Sequence, residues 1–146
     1  MSAEHAAYLD TSALAKWYLN EAGSDAFVAY VQALDLALIS SLTRVEMRSL
    51  LGRRRRMGEI DETLEHLIYA SLLDDIATGA LSLRPVEDDR YDEAAILIGR
   101  YPEQPLRTLD ALHLAVARAA QVDTLATADR VMADAARAMG LVVVQF

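Results

Sequence analysis

The sequence predicts a three-layer α/β/α domain around a central, mostly parallel sheet of four to five strands. Short apolar runs (AAYL, LALIS, TLAT, LVVV) alternate with longer segments of helical periodicity. Runs this apolar need cover on both faces, which a parallel sheet between two helix layers supplies. The three prolines, Pro85, Pro102 and Pro105, all fall between periodic segments, where turns belong.

In chain order, Ala6 to Asp10 reads as a first buried strand that ends at a carboxylate, and Thr11 to Asn20 as a helix with Leu14, Trp17 and Tyr18 on one face. Ser24 is placed to cap a second helix reaching Leu34, and Leu36 to Ser40 forms the second strand. Leu42 to Arg56 is helical, with Leu42, Val45, Met47, Leu50 and Leu51 apolar. Glu59 to Ala77 follows as a long helix whose apolar side includes Ile60, Leu64, Leu67, Ile68 and Leu72, and Gly79 ends it. Leu81 to Leu83 is a short strand, and Asp88 or Asp89 caps a helix running to Arg100. Leu106 to Gln121 is helical, Thr124 to Thr127 a strand, Asp129 to Met139 a helix and Leu141 to Val144 a final buried strand.

A length of 146 residues suits one domain spanning the whole chain, with no internal repeat or Gly/Ser linker to divide it. Hydrophobic residues make up 53% and charged residues 25%, a globular balance and not a disordered one. The absence of cysteine excludes disulfides, zinc–thiolate sites and cysteine nucleophiles. The opening MSAEHAAYLD has no basic and apolar leader, and no stretch approaches the roughly 18 apolar residues of a membrane span, so a cytoplasmic protein is expected, without membrane contact. The net charge of −8 excludes a broadly basic nucleic-acid coat. Basic residues are nevertheless clustered: Arg53, Arg54, Arg55 and Arg56 form one block, with Arg44 and Arg48 on the same predicted helix. Four successive helix positions spread around the axis, so they cannot all serve the helix's negative end. In so acidic a protein, this local patch is the expected means of attracting a phosphate backbone.

Chemistry in open α/β sheets gathers beyond the carboxyl ends of the strands. Asp10 lies there, although it also suits the plain role of helix N-cap. Glu46 sits about one turn into the helix after LALIS, beside core positions; its plain alternative is a surface pair with Arg44 or Arg48. Asp110 is sharper, because it interrupts an almost wholly apolar helix near its start and a bare buried carboxylate is prohibitive. Its plain alternative is an ion pair with Arg107, three residues earlier. Asp129 follows LATA and can cap the next helix. Jointly the four positions converge on one edge of a parallel sheet. Four carboxylates close together need divalent cations to remain ionised, and an all-oxygen set suits Mg2+ or Mn2+. His113 is read as a packed or hydrogen-bonding histidine and not as a ligand.

YLDTSAL, SSLTRVE, RTLDALHLA and TLATADRVM, in this order and spacing, resemble the PIN-domain nucleases and, more narrowly, the VapC toxins of bacterial toxin–antitoxin pairs. The resemblance covers nearly the whole chain. It implies a PIN-like fold, metal-binding catalytic acids at Asp10, Glu46, Asp110 and Asp129, and supporting hydroxyls at Ser12 and Thr127. It further implies cleavage of RNA, a homodimer, and inhibition by a small VapB-like antitoxin. In such a site the ion activates a water for in-line attack on the phosphodiester.

Other acid-bearing folds fit less well. A haloacid-dehalogenase-like phosphatase needs a second aspartate two residues after the first, where Ser12 stands. A receiver domain needs a phospho-accepting aspartate after a middle strand and a lysine after a later one, but Lys16 is the single lysine. No phosphate-binding G-x-x-x-x-G-K-[ST] loop is present. The alternative that competes is a non-catalytic PIN-like module binding RNA or protein.

Overall fold

A computed structural model of the chain describes residues 5–146. The opening MSAE, on which the expectation about a leader partly rests, lies outside the described residues. Five strands, β1 (Ala6–Leu9), β2 (Leu36–Ser40), β3 (Ser82–Arg84), β4 (Thr124–Thr127) and β5 (Val142–Gln145), form one all-parallel sheet in the order β3-β2-β1-β4-β5. Tyr8 pairs with Leu38 on one side and Leu125 on the other, which puts β1 at the sheet's centre.

Alternation along the central strands divides the core. Ala7, Leu9, Ala37, Ile39 and Ala126 point to one face. There they meet Leu14 of α1 (Thr11–Tyr18), Phe27 of α2 (Ser24–Gln32), Met47 and Leu51 of α3 (Ser41–Arg56), and Ile68 and Leu72 of α4 (Glu62–Ala77). Tyr8, Leu38 and Leu125 point the other way. They are covered by Leu97 of α5 (Asp88–Arg100), Leu112 to Val116 of α6 (Thr108–Ala119) and Met132 of α7 (Arg130–Ala138). Both faces of the sheet are therefore buried, which makes the predicted three layers. Among the described residues, no helix is long and apolar enough to cross a membrane.

Local chemistry explains most boundaries. Asp61, not Glu59, begins the long α4: its carboxylate accepts from the Leu64 amide at 2.8 Å, leaving Ile60 in the preceding turn. Gly79, with φ +83°, takes the left-handed conformation that closes the same helix. Ser24 does not cap α2 from outside; it is the first helical residue, and its hydroxyl instead donates to the Leu19 carbonyl.

Two burial expectations are corrected. β5 is not buried on both faces: it is an edge strand, with Val142 59% exposed, and among the described residues nothing pairs beyond it. Val45, Leu64 and Leu67 are exposed, since α3 and α4 form the outer part of their layer and only the stripes through Met47, Leu51, Ile68 and Leu72 meet the core.

Candidate metal centre

The connection from β1 leads to β2 on one side, whereas β4 joins β1 from the other. The boundary between β1 and β4 is thus a topological switch point, where open α/β sheets form a crevice at the carboxyl ends of their strands. Asp10 follows β1 and Asp129 follows β4. Glu46 comes from α3, which leaves the carboxyl end of β2. α6 feeds β4 through a short turn, so its first turn, with Asp110, points back to the same edge. All four acids line one cleft of about 490 Å3, which also takes in Thr11, Arg53, Arg107 and His113.

Asp10 is 3% exposed and its carboxylate is fully engaged. Ser12 Oγ donates to Oδ1 at 2.7 Å, the Ala13 amide donates to Oδ1 at 2.9 Å, and Thr127 Oγ1 donates to Oδ2 at 2.5 Å. Ser12 Oγ also accepts from the Ala128 amide, and Thr127 Oγ1 from the Asp129 amide, so both hydroxyls lock the β4 loop onto α1. Burial raises the Asp10 pKa above the ordinary carboxylate value, outweighing those hydrogen bonds and the His113 charge. A buried carboxylate so placed is stabilised by a cation.

Glu46 behaves oppositely. Burial pushes its pKa up, but hydrogen bonding and charge from His113, the Thr11 hydroxyl at 2.9 Å and the Arg107 charge together bring it below the usual glutamate value. His113 contacts Glu46 through Nε2, while Tyr8 Oη lies 2.6 Å from Nδ1. Burial also holds the Tyr8 phenol protonated. Tyr8 and Glu46 thus engage the two ring nitrogens of His113, a continuous hydrogen-bonded chain from core to cleft. His113 is thus the hydrogen-bonding histidine expected.

A lowered folded-state pKa means that the Glu46 carboxylate contributes stability above its unfolded value, and that this contribution disappears as pH falls through the folded one. The stability gap between wild type and Glu46→Gln is therefore expected to be widest at neutral pH and to shrink below the ordinary glutamate range. Denaturant melts across that range measure it; a gap independent of pH contradicts the assignment.

Asp110, 7% exposed, stands in the first turn of α6, where its Oδ2 accepts from the Arg107 amide at 3.2 Å and Nε at 3.3 Å. Asp129 Oδ1 caps α7 through the Val131 and Met132 amides, and its Oδ2 accepts from Arg107 Nη2 at 3.2 Å. Capping and facing the cleft are not alternatives here. One oxygen does each.

Among the described residues, no three His, Asp or Glu side chains already form a metal cage. The acids share a cleft but are not packed together as the sequence suggested. Each carboxylate turns instead to a hydroxyl, an imidazole, a backbone amide or Arg107. The donor set still fits a hard divalent ion: it is all oxygen, and the Arg107 guanidinium already occupies a cation position against Asp110 and Asp129. Arg107 was legible only as a partner of Asp110; its reach to Asp129 needed the fold.

The six arginines of α3 differ in their surroundings. Arg53 lines the cleft. Arg54 pairs with Glu21 and Glu59, Arg55 with Glu62 and Glu65, and Arg48 with Glu65 while lying over the Tyr69 ring. Arg44 and Arg56 are exposed on the same helix.

An all-parallel α/β sheet with carboxylates from four chain segments facing its switch-point cleft defines an α/β protein of the acidic-site class. Residues 7–138 match the PIN domain family model, and the chain belongs to the PIN-domain family. It is 34% identical over 145 residues to Ribonuclease VapC46 of Mycobacterium tuberculosis, covering 95% of this chain and 96% of that one. This likeness places it among the VapC-type members. The fold is also that of the Mycobacterium tuberculosis toxin VapC20, described as cleaving the sarcin–ricin loop, with TM-score 0.76, 19% identity and coverage of 96% and 99%. VapBC-5 of the same organism, from the VapBC family of toxin–antitoxin systems, matches with TM-score 0.64 and 19% identity, over 97% and 99% of the two chains.

Proposed function

We propose that this chain is a VapC-type toxin, a Mg2+- or Mn2+-dependent endoribonuclease hydrolysing RNA phosphodiesters under the control of a small antitoxin. The observation that carries the reading is the common cleft of Asp10, Glu46, Asp110 and Asp129 in a chain of this family. Those four residues would hold the ion. When bound, it would supply activation of the attacking water and neutralise charge at the leaving oxygen.

The chain's own groups do the rest. Ser12 and Thr127 fix the Asp10 carboxylate, the Tyr8–His113 relay orients Glu46, and the α7 cap holds Asp129 at the rim. The α3 arginines, with Arg53 in the cleft and Arg44 and Arg56 exposed, would meet the RNA backbone, contacts that position without reading sequence.

A homodimer and an antitoxin complex belong to the same proposal. Large exposed apolar side chains at Val45 (72%), Met57 (64%) and Leu67 (60%) on or beside α3 and α4 support a partnered surface.

Purified protein is expected to cut RNA with magnesium or manganese, to stop in EDTA, and to resume when either ion is restored. Calcium, with longer and looser coordination, is expected to fail. Full cleavage in EDTA overturns the metal reading. RNA binding without cleavage under every ion favours the non-catalytic PIN-like module.

A further inference from the structure

We propose that Arg107 is a displaceable internal cation, which neutralises the acids at rest and is moved by the entering divalent ion onto the phosphodiester of the RNA. This inference rests on the metal-site reading above.

The position of Arg107 separates its backbone from its side chain. Its amide is held by Asp110 at the start of α6, so the residue is anchored whatever the guanidinium does. The side chain itself is 75% exposed at the cleft mouth. Its Nε reaches Asp110 and its Nη2 reaches Asp129, one bond to each of two carboxylates from different segments. It does not grip either acid with two parallel bonds, the geometry that makes arginine–carboxylate pairs strong. Exposed single contacts of this kind are weak and cheap to exchange.

The oxygens used are Oδ2 of both aspartates, two of the acidic oxygens on offer to an ion in the cleft. A guanidinium and a divalent ion compete for them, because the two cations repel at such short range. Once displaced, the guanidinium stays tethered at the mouth and keeps its planar fork of N–H donors, the shape that matches two phosphate oxygens. A chain of net charge −8 would thus release a second cation from its acids at the site when the site is loaded. Arg53, the other cleft arginine, makes no ion pair among the described residues and has no acid to leave.

Calorimetry with manganese on purified wild type and Arg107→Ala tests the first half. The variant is expected to bind the ion about tenfold more tightly, having lost the competitor. Fluorescence anisotropy with a cleavage-resistant phosphorothioate RNA at saturating manganese tests the second half. There Arg107→Ala is expected to bind about tenfold more weakly. Arg107→Lys, a point charge without the fork, is expected to keep the wild-type ion affinity more nearly than the RNA affinity. Unchanged or weakened manganese binding in Arg107→Ala overturns the proposal, as does unchanged RNA binding with tighter metal. A wild type that binds no manganese would instead sink the metal-site reading itself, so the two failures are distinguishable.

Discussion

Asp10→Asn is expected to lower RNA cleavage by about a thousandfold or more, while raising the melting temperature of the metal-free protein by about 3 °C. The loss follows from position: Asp10 is the most buried of the four acids and sits where β1 meets the cleft. An amide is a poor ligand for a hard divalent ion, so the site loses charge at its centre. The gain follows from linkage. Burial raises the pKa of Asp10, so its ionised carboxylate is held at a cost in the folded protein. That cost is present above the raised value and is relieved as pH falls through it. Asparagine carries no charge to desolvate. Its oxygen can accept from Ser12 and Ala13 as the aspartate does, and its nitrogen can donate to Thr127. Calorimetric melts in EDTA and a gel assay of RNA cleavage read the two effects together. A variant that cuts at the wild-type rate removes Asp10 from the chemistry, and a lower melting temperature shows that its capping charge outweighs its burial.

His113→Ala is expected to destabilise the fold by about 3 kcal/mol and to cut cleavage sharply even though His113 is not read as an ion ligand. The imidazole is 2% exposed, and removing it leaves both a cavity and a Tyr8 hydroxyl without its His113 partner within the core. Glu46 meanwhile loses one of its two side-chain partners, keeping Thr11. Tyr8→Phe separates the effects. It removes the hydroxyl with little change of shape, so it is expected to cost about 1 kcal/mol and to leave most of the cleavage. Denaturant unfolding and cleavage rates of the two variants decide it. Equal activity in His113→Ala and wild type would show that Glu46 needs no support from the core. A double-mutant cycle with Glu46→Gln measures the coupling directly.

Much of this protein was legible in the linear chain, because period and burial are local signals. AAYL, LALIS and TLAT carried apolar residues at adjacent positions, hence on both faces of each strand, and that demanded cover on both sides and a parallel sheet between helices. Asp110 stood out because a carboxylate in an apolar helix needs a reason to be there, whereas Asp10, Glu46 and Asp129, each with a plain alternative, joined it only through the shared pattern. The same logic misjudged LVVV: strand order decides which apolar strand is an edge, and residue type does not. It also overcounted the apolar faces of α3 and α4, where helical period marks a stripe but not what lies opposite Val45 or Leu67. The sequence by itself determined the layer architecture, the acids and their family. Only the tertiary structure decided that Arg107 spans Asp110 and Asp129, that Tyr8 supports Glu46 through His113, and that Arg48, Arg54 and Arg55 are held by acids of their own. The Tyr8–His113 contact joins segments 105 residues apart, whose ends meet only once β1 lies between β2 and β4.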